Sequence, residues 1–339
     1  MREPKPKWRD VPVELRKQVE EIMGSSIRTA TQVFGGYGPS ATFRIFLEDG
    51  RTLFAKGAGL GSVPENWRVL PTEETVYREV AAISSICPRY FGSVKVEGWH
   101  LLLLEDLKNT KKVPPWTEEL ALQAIRDIAS FHARGHSDNG KVKSMEKSGF
   151  ADNWLNIKNR SDERNAFLGL FRERRDEAEA WLDANMNSLV QFEAGLLRPD
   201  QPWGFIHSDI RSDNLRFRGG TTVLFDWALA CSGPFMFDVG FFFPSIEGEG
   251  GPRAERLLPE YKRVMASHGI EFPAFSERSV AVAAAGYFAT RAGKPPIPQL
   301  PRLRSIQRLQ LGPALRWTSN LLGLPQPPLI NFNEMVSLR

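Results

Sequence analysis

The stretch His207-Ser208-Asp209-Ile210-Arg211-Ser212-Asp213-Asn214, followed by Leu224-Phe225-Asp226-Trp227, decides how this chain is read. It places a carboxylate, an amide five positions later and a second carboxylate behind an apolar run. Metal-assisted phosphoryl transfer needs those three groups: Asp209 to accept a proton from a substrate hydroxyl, Asn214 and Asp226 to hold magnesium against nucleotide phosphates. The remaining parts of such a site must come from elsewhere in the sequence.

Upstream, residues 29–34 and 41–47 read as strands around Gly35-Gly36-Tyr37-Gly38-Pro39-Ser40, where glycine lets backbone approach phosphate oxygens. Asp49-Gly50 is a hairpin turn signal, and residues 51–56 return as a third strand ending at Lys56, a cation for phosphate charge. A strand-end lysine or a glycine turn is by itself an ordinary surface feature. Residues 72–86 read as an amphipathic helix with Thr72 as N-cap and Glu79 as the acid that positions Lys56. Residues 90–97 and 100–104 are two further strands, and Leu101-Leu102-Leu103-Leu104 is apolar enough to be buried on both faces. Glycine turn, strand lysine, helix acid, buried strand, Asp209–Asn214 and Asp226 follow one another in the order of the protein-kinase parts.

Past residue 107 the texture turns helical: 117–135, 161–197, 252–268, 276–292 and 302–322, with one hairpin embedded at 215–226 across Gly219-Gly220. A strand-rich unit over 1–107 and a helical unit over 108–339, with a cleft between them, is the expected α+β arrangement.

Composition narrows the function classes. The 339 residues carry 42% hydrophobic and 25% charged residues, the profile of a globular protein. Lys and Arg total 44 against 40 Asp and Glu, interspersed, so the net charge of +4 comes with no basic block of the kind that binds nucleic acid. Two cysteines, Cys87 and Cys231, make no disulfide framework and no metal spacing. The N-terminal residues show no apolar signal segment and no run is long enough for a membrane span, so the expected location is the cytoplasm, with neither nucleic acid nor membrane as partner.

These motifs together resemble the aminoglycoside phosphotransferase family, which includes choline-kinase-like and other small-molecule kinases with a protein-kinase-like fold. The resemblance runs from about Val33 to Gly240. HSDIRSDNL is similar to the family's H-G-D-x-x-x-x-N loop and VLFDW to its V-I-D-W segment, with looser matches at Gly35–Thr42, Tyr77–Val80, Ile128–Ala133 and Gly233–Gly240. It implies ATP, or GTP, as donor, Mg2+ as metal and a small-molecule hydroxyl as acceptor. It implies Asp209 as catalytic base, Asn214 and Asp226 as metal ligands, and Lys56 paired with Glu79 on the phosphates. Gly35, Gly36, Tyr37, Gly38 and Ser40 would cover the nucleotide, and the hinge at Leu104, Glu105 and Leu107 would meet its base. His207 and Asp238 would support the loop.

Ser208 stands where the family pattern has Gly, and Arg211-Ser212 where it has His-Pro. Arg211 either assists near the transferred phosphate or points outward. Glu247 and Glu249 are candidate substrate contacts for a cationic acceptor such as an aminoglycoside, or residues of a solvated turn. An excess of basic residues after position 227 weighs against a polycationic acceptor and leaves macrolides, sugars and choline-like alcohols open. The rival reading is a nucleotide-binding pseudokinase acting as a regulatory module, which intact Lys56, Asp209, Asn214 and Asp226 argue against.

Overall fold

The computed structural model of the chain describes residues 5–34, 40–59, 62, 64–137, 142–145, 150–297, 300 and 302–328. The glycine turn at 35–39 therefore lies outside the described residues.

Helix α1 (Val13–Met23) turns Leu15, Val19 and Met23 inward at four-residue spacing. It stops at Gly24, whose φ of 65° is left-handed and whose N–H caps Glu20 O. Strands β1 (Ile27–Gln32), β2 (Ala41–Leu47) and β3 (Thr52–Ala58) follow, then helix α2 (Pro64–Glu79), β4 (Tyr90–Val96) and β5 (Trp99–Glu105). The five strands form one antiparallel sheet in the order β1-β2-β3-β5-β4. The leucine run of β5 is central and covered on both faces. Leu101 and Leu103 join α1 with Phe43, Ile45 and Leu53, whereas Leu102 packs with Leu70 of α2 on the opposite face.

One expected element moves. The helix predicted over 72–86 begins eight residues earlier at Pro64, carries Pro71 inside and ends at Glu79, before a 3-10 turn at Ala81–Ile83. Proline at the first helical position costs no hydrogen bond, so Pro64 rather than Thr72 opens the helix.

The rest is mainly helical. It comprises α3 (Glu118–Arg134), α4 (Asn153–Asn159), α5 (Ser161–Leu168) and α6 (Arg175–Glu193), then β6 (Trp203–Ile206), β7 (Leu215–Arg218), β8 (Thr221–Leu224) and β9 (Cys231–Pro234). Last come α7 (Met236–Gly248), α8 (Ala254–Ser267), α9 (Ala274–Ala292) and α10 (Leu303–Leu322). Thr117 caps α3, its hydroxyl accepting from Leu120 N–H at 3.2 Å. Helix α9 is the hub: its Ala281–Gly286 run is small enough to sit between α4, α6, α7 and α10. Trp154, fully buried, donates from its indole to Val282 O at 2.8 Å. Core packing also takes Trp116, Trp181, Phe242 and Phe243, all buried. The β7–β8 hairpin pairs Leu215 with Leu224, as the Gly219-Gly220 turn predicts. The β6–β9 pair brackets the catalytic stretch, with Ile206 opposite Cys231.

Candidate active site

Between β6 and β7 the chain makes one 3-10 turn, Ser212–Asn214, and the backbone before it is held by side chains. The Asp238 carboxylate, fully buried at the start of α7, accepts from His207 N–H at 2.8 Å and Ser208 N–H at 2.7 Å. Asp238 is itself anchored by His132 Nε2 at 3.0 Å, and His132 Nδ1 meets Tyr261 Oη at 2.8 Å. A buried carboxylate needs such donors, and it uses two of them to shape the loop. His207 Nδ1 accepts from Asp209 N–H at 3.2 Å, so its proton sits on Nε2, which faces Phe225 O at 3.1 Å. Burial lowers the pKa of His207 and favours that neutral ring.

Two residues of the site are strained. Ser208 has φ 57° and Asp226 φ 69°, both left-handed and both non-glycine, as is common where geometry at a site is over-determined. The Ser208 hydroxyl donates to Leu229 O.

The expected catalytic groups converge. Asn214 Nδ2 donates to Asp209 O at 3.0 Å and Asp209 Oδ2 at 3.1 Å. Arg211 points inward: Nη1 donates to Asp209 Oδ1 at 2.7 Å, and Nε to Asp213 Oδ1 at 2.9 Å. Asp213 is thus an ion-pair partner of Arg211. Burial pushes the Asp209 carboxyl up to about 7 against the pull of Arg211, and Asp226 and Asp213 add to the rise.

Lys56 reaches across from β3. Its Nζ lies 2.5 Å from Asp226 Oδ1 and 2.8 and 2.9 Å from the two Glu73 oxygens. Burial disfavours its charge, but the Asp226 and Glu73 carboxylates outweigh burial and raise its pKa. Here the expected partner is corrected. Glu79 is the last residue of α2, its side chain 46% exposed and hydrogen-bonded to Arg78, whereas Glu73 is 1% exposed. Six positions amount to about 120° around a helix, so the two acids cannot share a face. The signal that could have found Glu73 was its place about one turn from each of the core residues Leu70 and Val76.

A cleft of about 360 Å³ separates the sheet from the loop, and Ser40, Lys56, Leu104, Glu105, Leu107, Asn214 and Asp226 line it. Ser40 Oγ accepts from Asn66 Nδ2 at 2.8 Å. Glu105 is clamped by Arg218, and its amide donates to Arg89 O at 2.8 Å. Asn214 commits its amide nitrogen to Asp209, which leaves Oδ1 for a cation, and Asp226 Oδ2 is outside the contact with Lys56. Two hard oxygens beside a cleft suit a small divalent ion such as magnesium.

Glu247 and Glu249 are not on a solvated turn. Residues 236–248 are helix α7, a helix the sequence reading passed over because its Phe241-Phe242-Phe243 run is apolar on every side. Glu247 is paired with Arg316, Nε to Oε1 at 2.9 Å. Glu249 follows α7 and accepts from Ser212 Oγ at 2.5 Å and Trp116 Nε1 at 2.8 Å. Both carboxylates are engaged inside the protein, and Glu249 braces the catalytic loop.

The phosphotransferase enzyme family matches residues 41–267. The chain belongs to that family, whose members are phosphotransferases acting on hydroxyl groups of small molecules. Among solved structures it is similar to an aminoglycoside phosphotransferase from Alicyclobacillus acidocaldarius, at 16% identity and TM-score 0.57 over 88% of this chain and 92% of that one. An amicoumacin kinase in complex with AMP-PNP, Ca2+ and Ami matches at 13% identity and TM-score 0.54 over 90% of this chain and 91% of that one. A choline/ethanolamine kinase family protein from Mesorhizobium loti matches at 14% and 0.52 over 88% and 89%. At these identities the likeness establishes a shared protein-kinase-like fold. No curated protein sequence matches the chain. Among the described residues no helix is long and apolar enough to cross a membrane.

Proposed function

We propose that the protein transfers the γ-phosphoryl group of ATP to a hydroxyl of a small molecule, with residues 1–107 holding the nucleotide and residues 108–339 supplying the catalytic loop and the acceptor site. The observation that carries the reading is the convergence of Lys56, Asn214 and Asp226 on one cleft, with Asp209 hydrogen-bonded to Asn214. Lys56, held by Glu73, binds nucleotide phosphates, and Leu104, Glu105 and Leu107 border the base. Asn214 and Asp226 hold magnesium, which when bound neutralises charge on the phosphates. Asp209 orients the acceptor hydroxyl and takes its proton as the oxygen attacks phosphorus and the bond to ADP breaks. Arg211 holds Asp209 in place.

The acceptor belongs to the alcohol class that includes aminoglycosides and other antibiotics, sugars and choline-like alcohols. The test is ADP release across a panel of such compounds, with ATP and GTP as alternative donors. Magnesium-dependent release with at least one acceptor, abolished in Asp209→Ala, is expected. Transfer that persists in Asp209→Ala overturns the base assignment, and unchanged turnover in Asp226→Asn overturns the metal assignment.

A further inference from the structure

A second cavity, also about 360 Å³, opens in the helical part between α4, α5, α9 and α10, and no residue of the catalytic loop lines it. Among the described residues its walls carry three cations, Arg291, Lys294 and Arg304, against one carboxylate, Glu163. Glu163 Oε1 is already taken by Lys294 Nζ at 2.6 Å. The segment that supplies the cations, residues 291–310, contains Arg291, Lys294, Arg302, Arg304 and Arg308 and no acid.

The two guanidiniums are held rather than solvated. Arg291 lies over the Tyr287 ring at 3.7 Å, and its Nη1 donates to Asn153 Oδ1 at 3.0 Å and Tyr287 O at 3.1 Å. Arg304, in the first turn of α10, donates from Nε to Pro295 O at 3.3 Å and from Nη1 to Gln307 Oε1 at 2.8 Å. The acceptors of Arg304 are neutral, and among the described residues no carboxylate pairs with it. Burial and then Arg291 work against its charge, Tyr287 partly offsets them, and Arg308 adds a smaller opposing effect. Arginines gathered around a concave surface at such cost are what a bidentate anion relieves.

We propose that this cavity is a binding site for a small anionic molecule carrying a carboxylate or phosphate group, received by Arg304 and Arg291. The site is independent of the phosphoryl-transfer reading, because it shares no lining residue with the nucleotide cleft.

The test is calorimetric titration of the full chain with inorganic phosphate and, separately, with succinate. Parent protein, Arg304→Gln, Arg304→Lys and Lys56→Met are compared. We expect saturable binding of at least one anion, weakened roughly tenfold in Arg304→Gln, less in Arg304→Lys, and unchanged in Lys56→Met. Phosphate alone binding assigns the site to phosphate esters, and succinate binding assigns it to carboxylates. Binding that survives Arg304→Gln and disappears in Lys56→Met places the anion in the nucleotide cleft and overturns the proposal. The absence of saturable binding by either anion overturns it as well. Arg304→Lys keeps the charge, so a loss in Arg304→Gln alone is not a folding defect provided the two variants melt together.

Discussion

The loop from His207 to Asn214 and helix α2 both contribute to the same cleft, yet they are built on different logic. The loop carries its chemistry in eight consecutive residues, and one buried carboxylate, Asp238, fixes two of its amides. Helix α2 contributes a single acid, and which acid it is depends on the register at which Leu70 seats the helix against the sheet and Val76 against the core of the helical part. Where function is written along the backbone, spacing in the sequence is spacing in the site. Where it is written around a helix, a shift of six residues swaps a buried partner, Glu73, for an exposed one, Glu79.

The largest expected effect is on the loop. Asp209→Asn keeps the shape and removes the base, and ADP release should fall by roughly 10²- to 10⁴-fold. In the parent, kcat/KM should climb with pH through about 7 as Asp209 ionises. Stability should move the other way. The folded carboxyl titrates near 7 and an unfolded one near 4. The folded state therefore binds the proton more tightly. The contribution of Asp209 to stability is full below pH about 4 and is lost as pH rises through about 7. Melting curves at pH 5.5 and pH 8 should show Asp209→Asn gaining on the parent at the higher pH. A difference independent of pH would mean that Asp209 is an ordinary solvated carboxylate.

On the helix the contrast between two conservative variants is the measure. Glu73→Gln leaves Lys56 with Asp226 alone, and we expect the KM for nucleotide to rise roughly tenfold, with a lower melting temperature. Glu79→Gln changes an exposed carboxylate at the end of α2 that is bonded to exposed Arg78, and both quantities should stay within about twofold and 1 °C of the parent. Equal effects from the two variants would break the distinction between loop and helix drawn above.

The sequence was informative in proportion to how local each feature is. Asp209, Asn214 and Asp226 stand on or beside a loop whose ends are pinned by short strands, so their mutual placement survives any error in helix boundaries. The leucine run of β5 identified itself because only a strand covered on both faces is apolar at consecutive positions. Glu73 was hidden behind Pro71, which reads as a helix boundary although the helix runs through it from Pro64. Helix α7 was hidden for the opposite reason: Met236–Ile246 is buried on nearly every side, so no amphipathic period marks it. The long-range ties of Glu249 to Ser212 and Trp116 span 37 and 133 positions and have no local signature at all.

The smallest expected effect sharpens what the loop geometry demands of its residues. Ser208 sits at φ 57°, where a side chain costs about 1 kcal/mol relative to glycine. Its hydroxyl returns part of that through Leu229 O. Ser208→Gly removes the strain, loses that bond and enlarges the freedom of the unfolded chain, so its stability should stay within about 1 kcal/mol of the parent. Ser208→Ala keeps the strain and loses the bond, and should cost about 1 kcal/mol. Denaturant titrations that rank glycine and serine together above alanine support a left-handed requirement offset by the hydroxyl's contacts with Leu229 O and Cys231 Sγ. Alanine matching glycine would mean that the position tolerates a side chain without cost. The departure from the H-G-D pattern would then need no compensation from Leu229.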